Sequence, residues 1–163
     1  MISGLLKKIF GDKSQKDIKA LQPYVDQINE VYEQLKGISD DELRAKTIAF
    51  KTRISEYTEQ TQTQIQELKE QAKSHTISIH DKEGLFNKIE VLEKEDDELL
   101  EEVLLEILPE AFAVVKETSR RLAENKKLVV TANENDKKIA ANNDYVEIEG
   151  DKAIWHNEWD AAG

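Results

Sequence analysis

The chain has 163 residues, 39% hydrophobic and 35% charged, enough for one modest core and too few for a large enzyme of several domains. Its 23 Lys and Arg stand against 34 Asp and Glu, a formal charge of −11, which argues against a nucleic-acid binder held by bulk charge, because such binding replaces phosphate counterions with cationic side chains. Cysteine is absent, which excludes disulfides, thiol nucleophiles and Cys-ligated metals, and the longest apolar runs fall far short of the roughly 20 residues that cross a bilayer.

Residues 1–19 differ from everything that follows. Lys7, Lys8, Lys13, Lys16 and Lys19 outnumber Asp12 and Asp17, and Ile2, Leu5, Leu6, Ile9 and Phe10 recur at helical spacing, which gathers them on one face. Gly11 is the expected stop of this short helix. A helix of that length is marginal alone in water. It therefore docks either on its own domain or on a peripheral surface, a protein groove or an anionic lipid interface.

Ile18, Leu21, Val25, Ile28, Tyr32 and Leu35 mark a second amphipathic face, with Pro23 expected in the first turn of the helix and Gly37 at its end. Ser39 and Glu42 form a capping box that opens a long helix. Leu43, Thr47, Phe50, Ile54, Tyr57, Thr61, Ile65, Leu68 and Ala72 keep one side of it mostly apolar, and its length favours an arm or helical hairpin, thinnest over residues 58–66. Residues 74–80 form a connector or a very short strand.

A second long pattern starts at Asp81 and uses Leu85, Phe86, Ile89, Leu92, Leu99, Val103 and Leu104. Residues 90–110 hold ten acids and the single base Lys94. They fit a solvated face and lack the Gly and alternating oxygen ligands of a Ca²⁺ loop. Pro109 is expected to interrupt the run and open the most core-like helix, with Ala111, Phe112, Val114, Val115 and Leu122. Arg120 and Arg121 near its end suit dipole or surface pairing, or a ligand. Residues 127–132 look like a strand, 133–144 like a polar loop with four Asn, and 145–149 with 153–155 like a β-hairpin turning at Gly150 and Asp151.

The chemistry offered is slight. The His residues at 75, 80 and 156 are dispersed, and no H-E-x-x-H, G-x-S-x-G or G-x-x-x-x-G-K-[ST] occurs. No catalytic residue, cofactor-binding residue or metal ligand is expected in these 163 residues. The ending, with Trp155 and Trp159 and no docking element after them, fits a break inside a domain, which would leave apolar area exposed.

Three stretches carry a resemblance: Lys8-Ile9-Phe10-Gly11; Ile38-Ser39-Asp40-Asp41-Glu42-Leu43-Arg44-Ala45-Lys46-Thr47 with Phe50; and Ile107-Leu108-Pro109-Glu110-Ala111-Phe112-Ala113-Val114-Val115-Lys116-Glu117-Thr118-Ser119-Arg120-Arg121. Together they resemble the amino-terminal region of the SecA family, the ATP-driven motors of bacterial preprotein translocation. The resemblance covers about residues 1–122. Longer segments around 56–106 and 123–163 are similar to insertions of the Bacteroidetes branch.

The resemblance implies a mainly α fold, with long amphipathic helices, a helical hairpin and a small C-terminal β-hairpin, as the incomplete start of a RecA-like nucleotide-binding domain. It implies three parts: a membrane- and channel-binding helix at 1–11, helices at 12–122 with the inserted hairpin, and an inserted β segment at 123–163 that precedes the ATP-binding motifs. Ile2, Leu5, Leu6, Lys7, Lys8, Ile9 and Phe10 would contact anionic phospholipid and the SecYEG channel. ATP and Mg²⁺ would serve the full-length protein, which would handle unfolded preproteins from the cytoplasm and the cytoplasmic face of the inner membrane, with a homodimer also compatible. The alternative is a self-standing, non-enzymatic acidic helical module tethered to a membrane or partner by its first helix.

Overall fold

A computed structural model of the chain describes residues 2–74 and 77–158, with side chains from residue 15 onward. Helices α1 (Ile2–Leu35), α2 (Asp40–Lys73) and α3 (Ile79–Glu124) are followed by β1 (Lys127–Thr131), α4 (Glu134–Ala140), β2 (Val146–Glu149) and β3 (Lys152–His156). The chain divides into two compact units, one of Met1–Arg44 with Pro109–Gly163 and one of Ala45–Leu108.

Both prolines lie inside helices, Pro23 in α1 and Pro109 in α3. This corrects the expected helix starts, and Gly11 likewise does not stop α1. Proline orphans the carbonyl four residues back. At both places that residue, Lys19 or Leu105, is exposed.

In the first unit the sheet runs β1-β3-β2, antiparallel throughout. Leu128 and Val146 flank Trp155, and Val130 and Ile148 flank Ala153, so alternate residues share one face, as a period of two demands. Gly150, at φ 61°, takes the first corner of the two-residue turn between β2 and β3, a left-handed position that glycine occupies without a steric penalty. The hairpin was expected. The third strand is added by β1, which pairs with β3 across the intervening segment. The expected polar loop at 133–144 contains α4, opened by a capping box in which the Asn133 side chain accepts from the Asn135 and Asp136 backbone N–H groups and Asp136 reaches back to the Asn133 N–H.

The second unit is an antiparallel helical hairpin. Arg53 pairs with Glu106 at 2.6 Å and Lys69 with Glu93 at 2.7 Å, partners whose numbers run in opposite directions along the two helices. Thr58, Thr61, Ile65 and Ala72 on α2, and Ile89, Val103 and Ile107 on α3, are buried along the seam. Their spacing of threes, fours and sevens is that of a coiled coil. The thin stripe around residues 58–66 is thus closed by small side chains, and Thr58 Oγ1 donates to the Ile54 carbonyl instead of facing water. Asp96 is the misfit: its Oδ1 is buried without a hydrogen-bond partner among the described residues, and Oδ2 meets Gln62 only at 3.5 Å.

Candidate functional site

The polar chemistry of the first unit gathers where α1 turns into α2. Ser39 and Glu42 form the expected capping box, with the Ser39 N–H donating to Glu42 Oε2 at 2.7 Å and the Glu42 N–H to Ser39 Oγ at 3.2 Å. Arg121, buried on α3, closes the turn from outside. Its guanidinium donates to the Leu35 and Ile38 carbonyls at 3.1 and 2.7 Å, to Asp40 Oδ1 at 2.6 Å and to Glu117 Oε1 at 2.8 Å. One planar cation therefore satisfies carbonyls left open at the end of α1 and a carboxylate in the first turn of α2.

Glu117 is fully buried and also accepts two hydrogen bonds from Arg120, at 2.9 and 2.7 Å. These bonds, helped by Arg121 and outweighing the cost of burial, hold its carboxyl at about 2. The Arg120 guanidinium is raised above its usual range, chiefly by its bond to Glu117. Arg121 is raised too: burial disfavours its charge, but Glu117 and Asp40 more than offset this.

A second knot ties α2 to the β-rich segment. Asp41 accepts both the Thr131 N–H at 2.8 Å and the Thr131 hydroxyl at 2.7 Å, the hydroxyl bond leading, and its carboxyl lies below the usual range. Arg44 donates to buried Asp136 at 2.7 Å. Burial would raise the Asp136 carboxyl, but Arg44, the Asn133 N–H and the Trp155 side chain hold it down. Both knots are structural joints: Arg121 is buried with its guanidinium on four acceptors, while Arg120, paired with Glu117 and Glu124, stays about one-third exposed. The sequence suggests surface or dipole pairing, or a ligand, for the arginines; both are paired, Arg120 near the surface and Arg121 buried. The spacing of Glu117 to Arg120 and Arg121, three and four residues, was the signal for a shared acid.

The joint anchors α1 by its C-terminal part. Lys116 donates to Asn29 at 2.8 Å and lies 4.2 Å from the centre of the Tyr32 ring. Farther back along α1, Ile18 and Leu21 are 60% and 59% exposed. The contact residues expected in the first turns, Ile2, Leu5, Leu6, Lys7, Lys8, Ile9 and Phe10, sit on α1, and their side chains lie outside the described residues, as do His75 and Trp159. Among the described residues no three His, Asp or Glu are placed to hold a metal, and no helix is long and apolar enough to cross a membrane.

The family model of the SecA DEAD-like domain matches residues 6–133. The chain belongs to the SecA DEAD-like domain family. Its fold, mainly helical with a small C-terminal antiparallel sheet, is the one expected for the start of such a domain. Its similarity extends to the protein translocase subunit SecA of Phocaeicola vulgatus, 47% identical over 157 residues that are 96% of this chain, and to that of Flavobacterium psychrophilum, 44% identical over 162 residues, 99% of this chain. The chain spans 14% of the length of these curated relatives. No solved structure matches. Both SecA alignments run across the hairpin as well as the sheet, because they cover almost all of the chain.

Proposed function

We propose that the chain is the amino-terminal portion of a motor that couples ATP hydrolysis to the transport of unfolded preproteins through the SecYEG channel, working from the cytoplasm and peripherally at the inner membrane. The near-complete match to proteins named protein translocase subunit SecA carries this reading. ATP and Mg²⁺ belong in it to the longer protein. The residues present do not fit a nucleotide site, since the sequence has no G-x-x-x-x-G-K-[ST] loop, and no step of hydrolysis is assigned to them.

The role of this portion is attachment. A helix held firmly at its C-terminal part and exposing apolar residues farther back supports docking of its beginning onto another surface. Ile2, Leu5, Leu6, Ile9 and Phe10 would enter the boundary between headgroups and acyl chains or a channel groove, while Lys7 and Lys8 meet lipid phosphates.

An antibody to residues 39–72 should recover from the native cells a product several times longer than this chain. ATP-dependent preprotein transport into inverted membrane vesicles should fail when that product is depleted, and fall sharply when residues 2–10 are deleted. A native product of 163 residues, or transport indifferent to its depletion, overturns the motor reading. Transport indifferent to the deletion overturns the attachment role.

A further inference from the structure

The hairpin has a feature that the motor reading leaves unused. Its seam is already closed by Ile65, Ile89 and Val103, yet beside the seam runs an open groove of about 530 Å³ lined by Gln64, Leu68, Asn87, Lys88, Val91 and Leu92. Val91 is 64% exposed in it, with Leu68 and Leu92 beside it. Large apolar side chains on a solvated helix are unfavourable unless something covers them.

The charge around the groove favours one kind of partner. Residues 45–108 carry 8 Lys or Arg against 15 Asp or Glu, a net −7 that is most of the −11 of the chain. Glu95 and Glu98 follow Val91 by one and two turns on the same side of α3, and Glu67 adjoins Leu68 on α2. None of these three makes an ion pair among the described residues, whereas Glu90 and Glu93 are neutralised by Lys94 and Lys69. Lys88 is the one base lining the groove.

From the apolar floor and the unpaired acids together, we infer that the hairpin groove binds a lysine- or arginine-rich amphipathic helix of a partner protein, which lies along α2 and α3 as a third helix. Two antiparallel helices offer a valley that matches the ridges of another helix. In such a complex the partner's apolar face covers Val91 and Leu68 while its cations reach Glu67, Glu95 and Glu98. The inference is independent of the motor reading, since it needs only the hairpin.

The probe is a fluorescent peptide of about 20 residues, long enough to be helical, with Leu at helical spacing and Lys elsewhere, titrated with the whole chain and followed by anisotropy. The inference expects saturable binding that weakens with salt, is lost when the same peptide is scrambled or carries Glu for Lys, and falls roughly tenfold in Val91→Ser. Lys88→Glu removes the opposing base without touching the packing and should tighten binding. Equal binding of the scrambled peptide, or indifference to Val91→Ser and Lys88→Glu in chains with unchanged far-ultraviolet circular dichroism, overturns it. So does self-association of the chain that Val91→Ser abolishes, which would make a second copy the occupant.

Discussion

Glu117→Gln tests the joint between the three long helices. The substitution keeps the shape but removes the charge and turns an acceptor oxygen into an N–H donor facing two guanidiniums. Glu117 is fully buried and its carboxyl is held at about 2, against 4.5 for a free glutamate. That depression corresponds to about 3 kcal/mol of stabilisation by the ionised form at neutral pH, and loss of one partner from a buried ion pair costs about 3–5 kcal/mol. We expect Glu117→Gln to destabilise the first unit by about 3 kcal/mol, read as a lower urea midpoint in tryptophan fluorescence, since Trp155 belongs to that unit. The pH profile gives the sign independently. Because the folded carboxyl titrates lower than the unfolded one, its contribution is complete above about 4.5 and disappears as the pH falls through about 2. The original chain should lose stability over that window and the variant should lose less. Glu124→Gln, which removes only the exposed second partner of Arg120, should barely move the midpoint. A Glu117→Gln midpoint within 0.5 kcal/mol of the original at pH 7, or parallel acid profiles, would refute the reasoning.

Two further substitutions probe the hairpin and the sheet. Asp96→Leu removes the buried Oδ1 that has no partner and fills the seam with apolar surface, so it should stabilise the hairpin by about 1–3 kcal/mol, seen as a higher melting midpoint in circular dichroism; a lower midpoint would mean that the carboxylate is satisfied in solution. Gly150→Ala places a methyl group where nothing lies within 4 Å, so its only cost is the left-handed backbone, about 1–2 kcal/mol against a smaller effect for Gly150→Asn; equal stabilities of the two variants would show that the turn relaxes.

Periodicity found the long helices because seams of threes and fours are written over tens of residues, and the Ser39 box and the turn at Gly150 are local signals with local physics. The prolines misled because a proline inside a helix is penalised by the carbonyl it orphans, and that penalty shrinks where the carbonyl faces water, which depends on tertiary structure. Helix α4 carried its own signal, Asn133 three residues before Asp136, masked by the surrounding asparagines. The pairing of β1 with β3 and the burial of Arg121 depend on partners distant in sequence, Ala153 and Trp155 for the strand and Asp40 for the arginine. No window of local spacing contains those partners. The expected contact residues Ile2 to Phe10 were legible in the sequence as one helical face, and their side chains lie outside the described residues.

The strand order sets a schedule for synthesis. Because β3 lies between β1 and β2, β1 cannot enter the sheet until β3, the last strand made, has appeared. About 20 residues separate them, so at ~5–20 residues per second the ribosome leaves β1 unpaired for about one to four seconds. During that interval Leu128 and Val130 lack Trp155 and Ala153, the residues that later sit opposite them. Asp41 is already available, however, and its two bonds to Thr131 can fasten the far end of β1 to α2 before any strand pairs with it. A helix made early thus serves as the template on which a sheet made late is assembled.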